Sequence, residues 1–336
     1  MAALQIGDVK PKELYIGNYK IKEAWLGNTK LWSSSVPTLV TVGNKGKIYY
    51  SLDMKTWNLS TVISSLVNNG ESVTITSDGN KFVILTIYNG IIYSFYSEDG
   101  INWTSVTSTG MIGNPTSIEY KQGIFVASST AGLYYSYDGV NWQRTITDNM
   151  NKVKYLNGRF ISVGQVGKSY YSFDGINWTA MTITSAVPES YKTLNYIDVE
   201  YGNNSFIMTA KSSANSSVLL ISYDFITWSK RTSPNAYITS FACGKGKFVG
   251  VGDGTIDASS YKLISYQNEV DVESVWNMVY NPIKSLLQVK YIVELGKFIA
   301  VGDRSAYYSI DGVSWTAMTG LNADDYVKYW ESSYKE

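Results

Sequence analysis

Asp253, Asp257 and Asp303 sit in Gly-containing loop stretches. Paired carboxylates are what glycoside hydrolysis uses, one as proton donor and the other as base or nucleophile. Their separation in space is not readable from their spacing in sequence. Asp253-Gly254-Thr255-Ile256-Asp257 has the outline of a cation loop, but it lacks the full set of oxygen ligands that calcium takes, so no metal is expected. The chain has no histidine. That removes His-based proton transfer, the usual serine triad and His metal sites. Cys243 is the single cysteine; it has no internal disulfide partner and reads as a small hydrophobe. The expectation is a protein without catalytic residues and without a cofactor.

These residues have to be positioned by something, and the chain supplies it as a repeat. Tyr170-Tyr171-Ser172-Phe173-Asp174-Gly175-Ile176-Asn177-Trp178 is one copy. Others end at Trp57, Trp103, Trp142, Trp228 and Trp315, with Asp53, Asp99, Asp138, Asp224 and Asp311 four residues before the tryptophan. Met54 and Phe225 replace the glycine in two of them. A worn copy runs from Ser265 to Trp276 with Gln267 at the Asp position. The tryptophans recur every ~36–50 residues, the period of propeller blades. Each unit adds a Val-x-Tyr run, a Gly or Asn turn and a Phe-Val-x-Val-Gly run, as in Val153-Lys154-Tyr155 and Phe160-Ile161-Ser162-Val163-Gly164. Period-two alternation between Gly and Asn turns predicts strands joined by hairpins, four per unit. In the box, Asp accepts backbone N–H bonds and Gly supplies positive φ. The tryptophan is expected to pack between blades, where its burial contributes roughly 1.5–3 kcal/mol.

This pattern resembles the Asp-box, or BNR, repeat of sialidase-like β-propellers, from about Leu39 onward. The resemblance implies an all-β fold with seven blades. It also implies that the box turns are scaffold, on the face away from the ligand. Sialidases use an arginine cluster, a tyrosine nucleophile and acidic partners. Arg144, Arg159, Arg231 and Arg304 are the only arginines, and none sits in that family's arginine motif. A glycan-cleaving activity is therefore the weaker alternative. The first unit begins at Leu39-Val40-Thr41-Val42-Gly43 without its own inner strand, and Tyr326-Val327-Lys328-Tyr329-Trp330 repeats the missing pattern. The C-terminus is expected to close the ring, removing a free sheet edge.

By strand alternation, the face opposite the box turns carries Asn44, Tyr88, Gln165, Lys168, Asn215, Asp253, Asp257, Asp303 and Arg304. The polar, weakly charged mixture suits a hydroxyl-rich ligand such as a glycan. Residues 1–32 lie outside the repeat and hold two small strand–turn–strand pieces around Gly17-Asn18 and Gly27-Asn28. Hairpins of that size are marginal alone. They resemble the opening segments of bacteriophage tail and baseplate proteins, which implies an attachment piece; residues 33–38 read as linker and 39–336 as propeller. Formal net charge is zero, which argues against a nucleic-acid partner. No apolar run reaches the ~18 residues that span a bilayer, and the N-terminus lacks the pattern of a signal peptide. The expectation is a virion tail, fibre or baseplate protein that joins other virion tail proteins through residues 1–32 and binds a host-surface glycan or protein, with glycan preferred. A purely structural virion role is the alternative, and the oligomeric state within the virion is left open.

Overall fold

The computed structural model describes residues 14–16, 19–21, 23–26, 29–33, 39–43, 47–60, 73–183, 187–213, 216–231, 237–253, 262–265, 277–280, 286–303, 305–321 and 327–332. They form an all-β propeller. Six blades consist of four consecutive antiparallel strands each. Blade I holds Val73–Ser77, Phe82–Tyr88, Ile91–Ser97 and Thr104–Thr107. Blade II holds Pro115–Lys121, Ile124–Ser129, Gly132–Ser136 and Gln143–Ile146. Blade III holds Met150–Leu156, Arg159–Gly164, Ser169–Ser172 and Thr179–Ala180. Blade IV holds Asn195–Gly202, Ser205–Ser213, Ser216–Ser222 and Ser229–Arg231. Blade V holds Tyr237–Gly244, Lys247–Asp253, Lys262–Ser265 and Asn277–Tyr280. Blade VI holds Leu286–Ile292, Lys297–Gly302, Ser305–Ser309 and Trp315–Ala317.

The sequence pattern predicts seven blades and the structure shows six, because the first unit has only three consecutive strands. Leu39–Gly43, Ile48–Ser51 and Asn58–Leu59 form one further sheet with Val327–Ser332, in the order C-terminal strand first. Glu331 pairs with Val40 and Ser332 with Leu39. This composite sheet packs on blade VI through Leu39, Tyr49, Trp57 and Trp330, and on blade I through Val40, Val42 and Ile48. In residues 14–33, Leu14–Ile16 pairs with Tyr19–Ile21 and Glu23–Leu26 with Thr29–Ser33.

The core is a series of apolar layers between neighbouring blades. Blades III and IV enclose Ile161, Val163, Tyr196, Phe206 and Trp228. Trp57, Trp103, Trp142 and Trp228 are each buried against the preceding sheet. Trp178 and Trp315 are half-buried in the same relation. The worn copy's Gln267 and Trp276 lie outside the described residues.

The box turns explain the local sequence. In the Asp174 copy, the amides of Ile176 and Asn177 donate to Asp174 Oδ1 at 2.9 and 2.8 Å, and Gly175 N donates to Ser172 Oγ at 2.9 Å. Trp178 Nε1 closes the turn by donating to Gly175 O at 3.2 Å. Asp224 and Asp311 accept the same two amides in their turns. The amides of Thr227 and Ile226 lower Asp224 to a pKa of about 2, and those of Ser314 and Val313 do the same for Asp311. A depressed carboxylate stabilises the fold fully above its unfolded value of 3.8. That contribution is lost as pH falls through about 2. The melting temperature should therefore fall steeply below pH 4, and Asp224→Asn with Asp311→Asn should lower it at neutral pH and flatten the acid limb. Glu200, raised by burial, works in the opposite sense, destabilising the fold as pH rises above its ordinary 4.5.

Glycine is absent from two turns, yet the backbone is unchanged. Met54 and Phe225 have φ of 58° and 68°, against 76° at Gly175. At Gly175 a Cβ would lie 2.8 Å from Val126 Cγ2. Phe225 instead fills its interface, with ring centroids 4.8 Å from Phe206 and 5.6 Å from Tyr171. Packing thus offsets a left-handed backbone that L side chains disfavour. Phe225→Gly should consequently be more stable than Phe225→Ala by about 1 kcal/mol, although both lose the ring; chemical denaturation of the two variants measures the difference.

Candidate functional site

Propeller sheets radiate from a central axis with their strands in order from the inside out, so the first strand of every sheet borders the central channel. The paired register fixes which residues share a level. Thr76, Glu119, Lys154, Glu200, Ala242, Lys290 and Glu331 each face the equivalent residue of the second strand: Val83, Val126, Ile161, Ile207, Val249, Ile299 and Val40. One turn of the channel therefore carries three carboxylates and two lysines.

A β-bulge sits just before this level in five of the six blades, and in the C-terminal strand. Bulges re-aim side chains, and here the polar residues they re-aim reach the next inner strand. Thr116 Oγ1 donates to Met150 O, Asn151 Nδ2 to Tyr196 O and Thr239 Oγ1 to Leu287 O, at 2.8, 2.7 and 3.1 Å. Asp198 Oδ2 accepts Phe241 N at 2.7 Å, and Gln288 Oε1 accepts Trp330 N at 2.8 Å. The inner edges, which have no fifth strand to pair with, are satisfied this way.

Lys154 is the centre of the charged level. Its ammonium donates to Asp198 Oδ2 at 3.0 Å, Glu200 Oε2 at 3.0 Å and Phe241 O at 3.1 Å, so all three donors are used across three blades. Asp198 is fully buried, and it also accepts Val199 N. Burial alone would push Lys154 down, but the Asp198 and Glu200 carboxylates hold it above the ordinary lysine value. Burial raises Glu200, and Asp198 adds to the effect while Lys154 opposes it. Lys152, at the bulge level, is pushed down to about 8 by burial, partly offset by Asp198. Lys290 forms a second pair with Glu331 at 2.5 Å.

Two adjoining cavities open at this end of the axis. The larger, about 330 Å³, is lined by Glu119, Lys154, Tyr155, Leu156, Glu200, Phe241, Ala242, Cys243, Val289, Lys290, Tyr291 and Val293. The second, about 260 Å³, shares Glu119 and Lys290 and adds Asp78, Lys121 and Glu331. Both lie beside the turns between first and second strands, on the same end as the box turns. Burial pushes the Cys243 thiol up to about 12, with Glu200 adding to it, which makes it a wall rather than a nucleophile at neutral pH.

The sequence expectation placed binding at the opposite end. Of that set, Tyr88, Gln165, Lys168 and Asp303 are described with their side chains, and Asp253 by its backbone at the end of its strand. Asn44, Asn215, Asp257 and Arg304 fall outside the described residues. Lys168 Nζ lies 3.4 Å from Asp148 Oδ2, which also accepts the Tyr170 hydroxyl. Neither cavity includes a residue of this set. Among the described residues no group of three or more His, Cys, Asp or Glu is arranged to hold a metal ion. No described helix is long and apolar enough to cross a membrane.

Arg144 and Arg159 do not converge. Arg144 bonds the carbonyls of Ala131, Ile146 and Thr147 in blade II. The Arg159 guanidinium stacks 4.9 Å from Phe225 and 5.4 Å from exposed Phe173, on the box-turn end. Sequence reasoning missed the axial cluster. Its signal was a polar residue in the middle of Val-x-Tyr, seen as Lys154 and Glu200, which a half-exposed strand would show equally well.

No protein-family model matches the chain, and no curated protein matches it. Solved structures do match in fold. The structure of YCF48 bound to D1 peptide aligns with a TM-score of 0.56 at 13% identity, covering 78% of this chain and 85% of that one. The computationally designed Ika8 protein aligns with a TM-score of 0.58 at 10% identity, covering 91% and 88%. A chain of the nidogen/laminin complex gives 0.51 at 10% identity, covering 88% and 98%. At these identities the likeness establishes the propeller fold alone.

Proposed function

We propose that this chain is a non-catalytic recognition module of a bacteriophage virion, an Asp-box propeller closed by its C-terminal strand. Residues 1–32 join it to the particle, and the propeller contacts the host surface. The axial cavity at the box-turn end carries this reading: its charged side chains are committed to one another, so they shape a receptor rather than supply a free acid and base. Propellers serve many unrelated functions, and the matched YCF48 and nidogen structures hold a peptide and a protein partner, which fits a binding role. A single weak contact would be amplified by roughly 10²–10⁴ when several copies sit on one particle.

Labelled full-length protein should bind selectively within a panel of bacterial cells and their purified surface polysaccharides. Absence of binding by folded protein across the panel would turn the assignment toward a structural virion role, and released reducing sugar would turn it toward an enzyme. A second reading, glycan contact at the opposite end, is favoured by the Asp148, Lys168 and Tyr170 cluster. Loss of polysaccharide binding on joint Lys168→Ala and Asp303→Ala substitution would support it.

A further inference from the structure

We propose that Arg159 anchors a protein-docking site on the box-turn end, whose partner presents an aspartate or glutamate side chain set among apolar residues. This goes beyond the reading of the chain as a host-surface binder, since it names a separate site and a partner of a different class.

The first observation is an arginine without an acceptor. Arg159 opens the second strand of blade III, opposite Leu156, which lines the larger cavity. Its Nε is buried with no hydrogen-bond partner, and no described group accepts from its terminal nitrogens. No described carboxylate pairs with it either. Asp174 and Asp224, in the box turns of its own blade and the next, are taken up by their own backbone amides. The guanidinium is held by rings alone: Phe225 at 4.9 Å, Phe173 at 5.4 Å and Tyr171 at 6.0 Å.

The repeat explains why this cation is uncommitted. Lys81 and Lys247 hold the same place in blades I and V, directly before Phe82 and Phe248. Each reaches the next blade's box turn and donates to a carbonyl, Asp138 O and Asp311 O, both at 3.1 Å. Those turns carry Gly139 and Gly312. The turn next to Arg159 carries Phe225 instead, and the cation meets its ring in place of the carbonyl. Lys297, before the turn that carries Met54, likewise lies 5.1 Å over Tyr308 and bonds no carbonyl among the described residues.

The second observation is the surround. Phe173 is 62% exposed and meets Tyr171 edge-on at 5.9 Å, so an apolar wall stands beside the charge. The guanidinium fork matches a carboxylate through two parallel N–H bonds. The rings fix it before a partner arrives, which lowers the cost of ordering it. Arginine and aromatic side chains are those on which protein interfaces concentrate their affinity. A glycan would need hydroxyl partners here, but the polar side chains of the turn, Asp174 and Asn177, already bond each other at 2.8 Å.

The test is selection of a displayed random dodecapeptide library on the full-length protein, followed by affinity measurement on synthetic winners. Winners should contain an aspartate or glutamate flanked by apolar residues. Changing that residue to its amide should weaken binding at least roughly tenfold, the worth of a charge-assisted hydrogen bond. Arg159→Met should do the same from the protein side. If that variant does not fold, Arg159→Lys, which keeps the charge and loses the fork, takes its place with the same direction expected. Phe173→Ser, at an exposed position, should also weaken every winner. No enrichment, winners without an acidic residue, or binding indifferent to the Arg159 substitution would overturn the proposal. Loss of binding to a uronic-acid polysaccharide on Arg159→Met, with no peptide selected, would overturn it in favour of an acidic glycan. Cell binding that persisted in the Arg159 variant would leave the host-surface role standing whether or not the docking site fell.

Discussion

A chain ending at residue 326 should lose cooperative folding. The deleted strand Val327–Ser332 is the inner strand of the composite sheet, paired with Leu39–Gly43. Trp330 is fully buried in the layer shared with blade VI, beside Leu39, Tyr49 and Trp57. Its amide bonds Gln288, and Glu331 pairs with Lys290. Removing a large buried aromatic alone costs about 3–5 kcal/mol, a large share of the 5–15 kcal/mol that keeps a domain folded. The truncation also opens one strand edge on the channel and leaves Gln288 and Lys290 without these partners. The expected result is a broad transition or an aggregated product, read by thermal melting and size-exclusion chromatography. A truncated chain that melted within a couple of degrees of full length would show that the C-terminal strand does not close the ring. Trp330→Ala in the intact chain should fall between the two, because it keeps the backbone ladder.

Lys154→Met should destabilise the protein by about 3–5 kcal/mol, the cost of breaking a buried ion cluster from one side. The side chain is only 15% exposed and Asp198 is not exposed at all, so water cannot replace the lost ammonium. The lower end of that range is expected, because Glu200 can take up a proton. That escape predicts a pH signature. The variant's deficit should shrink on acidification, as a Glu200 already raised by burial takes up its proton and needs no counter-charge, and widen toward neutral pH. Chemical denaturation of both proteins across pH 5 to 8 reads it. Combining Lys154→Met with Asp198→Asn and Glu200→Gln should recover part of the loss, since the uncompensated charges are then gone. If Lys154→Met alone proved neutral, the cluster would be a surface network, not a buried one.

The same residue shows where sequence reading stops. Lys154 stands in Val153-Lys154-Tyr155, and the pattern alone says that Val153 is buried and that Lys154 lies on the other side of the strand. It does not say that the other side is a channel, nor that Asp198, Glu200 and the Phe241 carbonyl will be there, because those groups belong to blades 44, 46 and 87 residues away. Phe225 is a second instance. A missing glycine in a turn reads as a worn copy, yet the turn keeps its positive φ because the ring pays for itself in the layer with Phe206 and Trp228. Tyr137 and Phe173 are a third. Aromatic residues in a β-rich repeat read as core, and only the geometry of the turn sends them to solvent.

What the sequence by itself determined is whatever is local or repeated: the strand–turn–strand grammar, the Ser-Asp-Gly hydrogen bonds within each turn, the tryptophan of each blade, and the unpaired first unit that needs a strand from the other end. Each depends on neighbours within one unit or on a copy of the same pattern. The tertiary structure alone decided which polar residues meet at the axis and that two cavities open beside them at the box-turn end. Those outcomes depend on how blades are arranged around a ring, where the side chains at one level come from every unit at once and their charges compensate only collectively.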